Sequence, residues 1–253
     1  MTSENVANPA ADAPGPALRT RRRRRGGWAL LRDILVIIVV AIVVSFVIKT
    51  FFVRSFWIPS GSMEPTLMVK DRILVDEFTP HFTGYQRGDV IVFRDPGGWL
   101  DTVPVAPEQP GIGQAVDWLL SLVGLSASDS DDHLIKRVVG VGGDRVVCCN
   151  ALGQVTVNGT PIDETPYLNL SEGQSAPSVI PYDVTVPEGS FWVLGDNRDN
   201  SKDSRYNVDQ PSRGFVPEAD VVGRAFLITW PLSRFGTISF QHDVFAGVPA
   251  PTP

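Results

Sequence analysis

Apolar and polar positions change rhythm sharply at residue 34. From there ILVIIVVAIVVSFVIKTFFV (34–53) is apolar without alternation, and its first fifteen residues carry no charge and one polar side chain, Ser45. Twenty helical residues span about 30 Å, the thickness of a bilayer's hydrocarbon core. The pattern predicts a membrane anchor, with Lys49 near one end able to snorkel to the headgroups. A buried helix or a cleaved signal peptide would share the hydropathy. The segment leaves through KTFFVRSFW, though, which is bulky and basic where a cleaved signal carries small residues.

Beyond residue 54 the rhythm becomes that of short strands. SFWI (55–58), RILVDEF (72–78), DVIVF (89–93), LIKRVVG (134–140), DRVVCC (144–149) and QVTVNGT (154–160) are rich in branched and aromatic residues. Asn158-Gly159 marks a tight turn. YDVTVPEGSFWVLGD (182–196) reads as two strands around Pro-Glu-Gly, and VVGRAFLITW (221–230) as a late strand crossing the core. Regular helical crossovers are missing, so a mostly β domain is expected rather than a parallel α/β sheet. Residues 95–132 break the pattern with nine Gly or Pro, seven acids and no Lys or Arg. They are expected to form a flexible insertion, with a short helix over 114–125. The organisation is a disordered basic tail (1–33), an anchor (34–53), a β-rich domain (54–245) and a loose tail (246–253).

Charge separates these parts. Residues 1–33 hold seven arginines against three acids, whereas residues 54–253 hold fourteen basic and twenty-five acidic residues. The RRRRR block (21–25) favours a cytoplasmic N-terminus and an extracytoplasmic β domain. The formal net charge of −6 excludes an extended nucleic-acid interface. Three histidines and two cysteines leave little material for a metal centre. Cys148 and Cys149 are adjacent, and across a trans peptide their Cα atoms lie about 3.8 Å apart. A bridge there is strained, and opposite-facing strand side chains are at least as good a reading, so the sequence leaves the redox state of the pair open.

Three segments carry candidate chemistry. In IPSGSMEPTL (58–67), Gly61 permits a tight turn and two prolines stiffen its flanks. Such a turn can expose Ser62 and aim a backbone N–H and the Ser60 hydroxyl at one point; it is equally the composition of a plain turn. A hydroxyl nucleophile needs a base, and His81, His133 and His242 stand in turn-like, loop-end and tail positions. Lys136 instead sits in an apolar strand, where burial lowers an amine's pKa toward the range of a working base; an outward lysine is the alternative. GDNRDNSKDSR (195–205) is dense in turn-forming polar residues. There Asp199, Asp203 and Arg205 can pair, and Ser201 can orient an amine. A metal loop competes with that reading, but three cations share the segment and calcium-loop spacing is absent.

Together SGSMEPTL, KRVVGVGGD and GDNRDNSKDSR, in this order behind the anchor, resemble the bacterial type I signal peptidases over most of residues 30–230. The resemblance implies a signal-peptidase-like mixed β domain of antiparallel sheets behind one transmembrane helix. It implies Ser62 as nucleophile, Lys136 as neutral general base, and Ser60 with the Ser62 N–H as oxyanion donors. Ser201 would orient the lysine, and Asp203, Arg205 and Asp199 would support the site. Met63, Pro65, Gly140, Gly143 and Asp144 match structural positions. It further implies removal of signal peptides from exported preproteins after an A-x-A-like site, through an acyl-enzyme and without cofactor or metal. The substrate would bind as an extended strand at a phospholipid membrane, near the protein-export channel. A self-cleaving repressor-type Ser/Lys protease would share the dyad but not the anchor. A non-catalytic membrane-tethered binding protein would need neither Ser62 nor Lys136.

Overall fold

The computed structural model describes residues 27–51, 53–100, 132–174 and 176–251. The chain divides into two compact units at Ile42/Val43. Helix α1 (Gly27–Phe51) begins ahead of the apolar run, since Trp28–Leu31 continues the helix without a breaker. Its side chains from Ile34 to Val44 are all exposed, and a helix apolar around its whole circumference needs an apolar environment. Among the described residues no helix is long and apolar enough to cross a membrane. The described side chains of α1 end at Val44.

The second unit contains β1 (Val53–Trp57), β2 (Arg72–Asp76), a one-turn helix α2 (Pro80–Thr83), β3 (Val90–Arg94), β4 (His133–Val141) and β5 (Arg145–Cys148). After these come β6 (Thr156–Val157), β7 (Thr160–Pro161), β8 (Tyr182–Thr185), β9 (Ser190–Leu194), β10 (Val216–Pro217), β11 (Val221–Trp230) and β12 (Gly236–Thr237). The larger sheet runs β1-β2-β11-β3-β4-β9-β10 with β12 on β11, and the smaller β7-β6-β5-β8. The pairings within both are antiparallel. The expected mostly β architecture is therefore what the chain adopts.

Long-range pairing decides what local pattern left open. The two strands read around Pro-Glu-Gly do not form a hairpin: β8 pairs with β5 in the smaller sheet and β9 with β4 in the larger. Asn158 and Gly159 do make the tight turn, both at positive φ, between β6 and β7. The late strand β11 lies between β2 and β3, as a core-crossing strand should. One core cluster gathers Phe56, Ile58, Met63, Leu67, Ile73 and Ile135 beneath β1, β2 and β4.

Three expectations need correction. The insertion does not begin at 95: Asp95 accepts the backbone N–H groups of Gly97, Trp99 and Leu100. This folds the chain back so that Trp99 packs edge-on against Phe93, 1% exposed. The remainder, with the helix expected at 114–125, lies outside the described residues. The tail is not loose over 246–251, since the Pro249 carbonyl accepts from Arg87 and Asn158 and Val248 packs on the core. Cys148 and Cys149 are joined in a disulfide across a cis peptide, with Cα atoms 3.0 Å apart. The reading of opposite-facing side chains assumed the trans spacing.

Candidate active site

The serine segment is a loop closed at its base and plugged into the core. Ile58 and Asp71 close it, with Ile58 N–H donating to the Asp71 carbonyl and Lys70 N–H to that of Ile58. Met63 and Leu67, four residues apart, close a turn through the Leu67 N–H and the Met63 carbonyl. Both are fully buried, so the apolar pair holds Ser62 against the protein. Gly61 is crowded by Glu64 and Asn200. Asn197 pins the turn from the far side, its backbone N–H donating to the Ser62 carbonyl and its Nδ2 to that of Gly61, each at 3.1 Å.

Strand β4 brings up Lys136. The strand is buried on both faces from Ile135 to Gly140, so the amine is enclosed wherever it points. Its Nζ lies 2.9 Å from Ser62 Oγ and donates to the Ile135 carbonyl at 2.9 Å. Lys136 is 4% exposed and Ser62 5%. Burial pushes the Lys136 pKa down to about 8, against the opposing pull of Asp203 and Asp196. About a tenth of the amine is then neutral at pH 7. In that form it accepts the Ser62 O–H, which makes the pair competent for proton transfer.

The other expected residues divide. Ser60 is exposed, and its hydroxyl reaches Ser62 Oγ at 3.4 Å. Asp203 and Arg205 are buried and paired through two 2.8 Å bonds, and the second Asp203 oxygen also accepts the Gly195 N–H at 3.0 Å. Ser201 is buried beside Gly195, but its Oγ has no hydrogen-bond partner, Lys136 included. Asp199 is not in the Asp203–Arg205 network: it is exposed and accepts the Ser171 N–H at 2.7 Å. The three carboxylates of the 195–205 loop thus go to three different partners. Among the described residues no cluster of His, Cys, Asp or Glu is arranged to hold a metal.

Sequence reading missed the buried ion pairs behind the dyad. Arg137 forks onto Asp196 at 2.8 and 2.7 Å, and Thr66 donates to the same carboxylate at 2.5 Å. Arg198 forks onto Glu164, which also accepts the Tyr167 hydroxyl. An arginine beside Lys136 in an otherwise apolar strand was a legible signal that a carboxylate had to face it. Glu164, in the turn-like run DETPY, gave none.

Beside the loop a small, mainly apolar cleft is lined by Phe56, Ile58, Pro59, Ile73, Val92 and Ile135, among others.

Comparison with known proteins agrees with this geometry. The family described as "Signal peptidase, peptidase S26" matches residues 31–230. Signal peptidase I of Mycobacterium tuberculosis (strain ATCC 25618 / H37Rv) is 42% identical over 253 residues, covering 92% of this chain and 84% of that protein. The probable signal peptidase I of Mycobacterium leprae (strain TN) is 37% identical, covering 93% and 86%. Signal peptidase I of Leptolyngbya laminosa is 33% identical, covering 78% and 79%. A fully buried Ser–Lys pair on an antiparallel scaffold, with these relatives, leaves one assignment: the chain belongs to the type I signal peptidases, peptidase family S26.

Proposed function

We propose that this membrane-bound serine endopeptidase removes signal peptides from exported preproteins with Ser62 as nucleophile and Lys136 as general base. The observation that carries the reading is the 2.9 Å approach of a buried, pKa-lowered amine to a buried hydroxyl. Neutral Lys136 takes the Ser62 proton as Oγ attacks the scissile carbonyl. The oxyanion is met by the Ser62 N–H and the Ser60 hydroxyl. Lys136 returns the proton to the departing amine, leaving the signal peptide esterified to Ser62. Lys136 then deprotonates water, which releases it. The small apolar cleft beside the serine loop supports small apolar residues at the cleavage site, in an A-x-A-like pattern. The substrate lies extended, as an added strand. The all-round apolar side chains of α1 from Ile34 to Val44 support a single membrane span by this helix, with the arginine block cytoplasmic and the β domain outside, near the export channel. Asp203 and Arg205 support the site from behind.

Two measurements test the mechanism beyond nucleophile replacement. The pH profile of kcat/KM is expected to rise about tenfold per unit below pH 8 and to level above it, since only neutral Lys136 acts as base. A flat profile between pH 6 and 8 would remove the lysine from that role. Ser60→Ala is expected to lower kcat by about 10²–10³, the cost of one oxyanion donor, with KM little changed. An effect confined to KM contradicts the assignment. Labelling by an acylating inhibitor, present in the parent enzyme and lost in Ser62→Ala, separates catalysis from simple peptide binding.

A further inference from the structure

The segment between β7 and β8 contributes nothing to the dyad directly, yet it grips the loop that holds it. Glu164 is 4% exposed and receives both terminal nitrogens of Arg198, at 3.0 and 2.5 Å. The Tyr167 hydroxyl donates to the same carboxylate at 2.8 Å, and its ring lies 4.3 Å from the Arg137 guanidinium. Main-chain bonds reinforce the grip. Asn169 N–H donates to the Asp196 carbonyl, and Arg198 N–H to that of Asn169.

What Arg198 does with its remaining nitrogen gives this grip a consequence. Its Nε donates to the Gly195 carbonyl at 2.9 Å, while the Gly195 N–H donates to Asp203. The Gly195 peptide is thereby fixed from both sides, where no slack exists. A Cβ at Gly195 would stand 2.2 Å from Ser201 Oγ and 2.5 Å from the Ser62 carbonyl. A shift of Gly195 is therefore passed to the nucleophile's backbone.

The Arg198–Glu164 pair is buried on both sides, so neither side chain can turn to water if its partner is lost.

We propose that Glu164 is a positioning residue for catalysis, acting through Arg198 to fix Gly195 against Ser62. The inference rests on the Ser62–Lys136 reading. The charged groups facing Lys136 are Asp203, Asp196 and Arg205, and those facing Arg198 are Glu164, Tyr167 and Tyr182. Glu164 is the anion among the latter.

The test uses the full-length enzyme in detergent, with rates expressed per site titrated by an acylating inhibitor so that misfolded protein is not counted. Glu164→Gln keeps the side chain's size and loses its charge. It is expected to lower kcat about 10- to 100-fold, the scale of a small misplacement, with KM changed less than about threefold. The acid limb of kcat/KM is expected to keep its position, since the charges acting on Lys136 are Asp203, Asp196 and Arg205. The double variant Glu164→Gln/Arg198→Gln is expected to keep kcat as low, because Gly195 then loses its bond from Arg198. This pair also serves if the single variant yields no titratable enzyme, since a kcat within about twofold of the parent would then overturn the proposal. A loss carried by KM rather than by kcat in the single variant overturns it too. If Ser62→Ala retained turnover, the dyad itself would fall, an outcome separate from either result at Glu164.

Discussion

Ser62→Ala and Lys136→Ala are each expected to abolish preprotein cleavage, with a loss of about 10⁴-fold or more in kcat. The two groups act as one device, and removing either member costs nearly as much as removing both. The double variant is therefore expected to be no worse than the singles. The physical basis is the arrangement in β4 and the 58–71 loop. Among the described residues, Ser62 is the hydroxyl that Lys136 bonds and Lys136 the base that Ser62 bonds. Both variants are expected to remain folded, since neither group belongs to the buried ion pairs that brace the loop. Single-turnover cleavage of a detergent-solubilised preprotein, beside a thermal melt of each variant, supplies the check. Turnover within tenfold of the parent in a folded variant would remove that residue from the mechanism.

The largest stability effect is expected from Asp196→Ala. Its carboxylate is fully buried and accepts three hydrogen bonds, two from Arg137 and one from Thr66. Truncation leaves the Arg137 guanidinium, 1% exposed, without its counter-charge. Breaking one side of a buried pair costs about 3–5 kcal/mol. For a domain of this size each kcal/mol lowers Tm by about 2–4 °C, so a fall of about 6–20 °C is expected at a fixed scan rate. Asp196→Leu with Arg137→Met, which removes both charges, is expected to recover much of that loss, because desolvation offsets most of what a buried pair gains. A loss under about 1 kcal/mol would mean that water reaches the pair and screens it.

Some features were legible because they are local. Asn158-Gly159 demanded a tight turn, and the strands around Ile73, Ile91 and Val138 announced themselves by branched side chains. Ser62, Lys136, Asp203 and Arg205 stood out as candidates by their surroundings, and the family resemblance supplied their roles. Ser201 and Asp199 show the limit of that reading. Both stand in the right loop, yet one hydroxyl is buried without a partner and the other carboxylate turns outward to Ser171. Loop membership does not fix the direction of a side chain. The same limit hid the bond from the Trp99 indole N–H to the Ser212 hydroxyl and the anchoring of Pro249 by Arg87, contacts 113 and 162 residues apart along the chain.

The order of residues by itself determined that an apolar helix precedes a β domain, and that a serine turn, a lysine strand and a polar loop are available for chemistry. These follow from hydropathy, β-branching and turn propensity, which act over a few residues. Only the tertiary structure decided that β4 sets the amine 2.9 Å from the hydroxyl, that β8 and β9 part into different sheets, and that Glu164 holds the loop behind the dyad. Each of those depends on packing and charge pairing between segments far apart along the chain. Such contacts form only once the surrounding core has closed and excluded water.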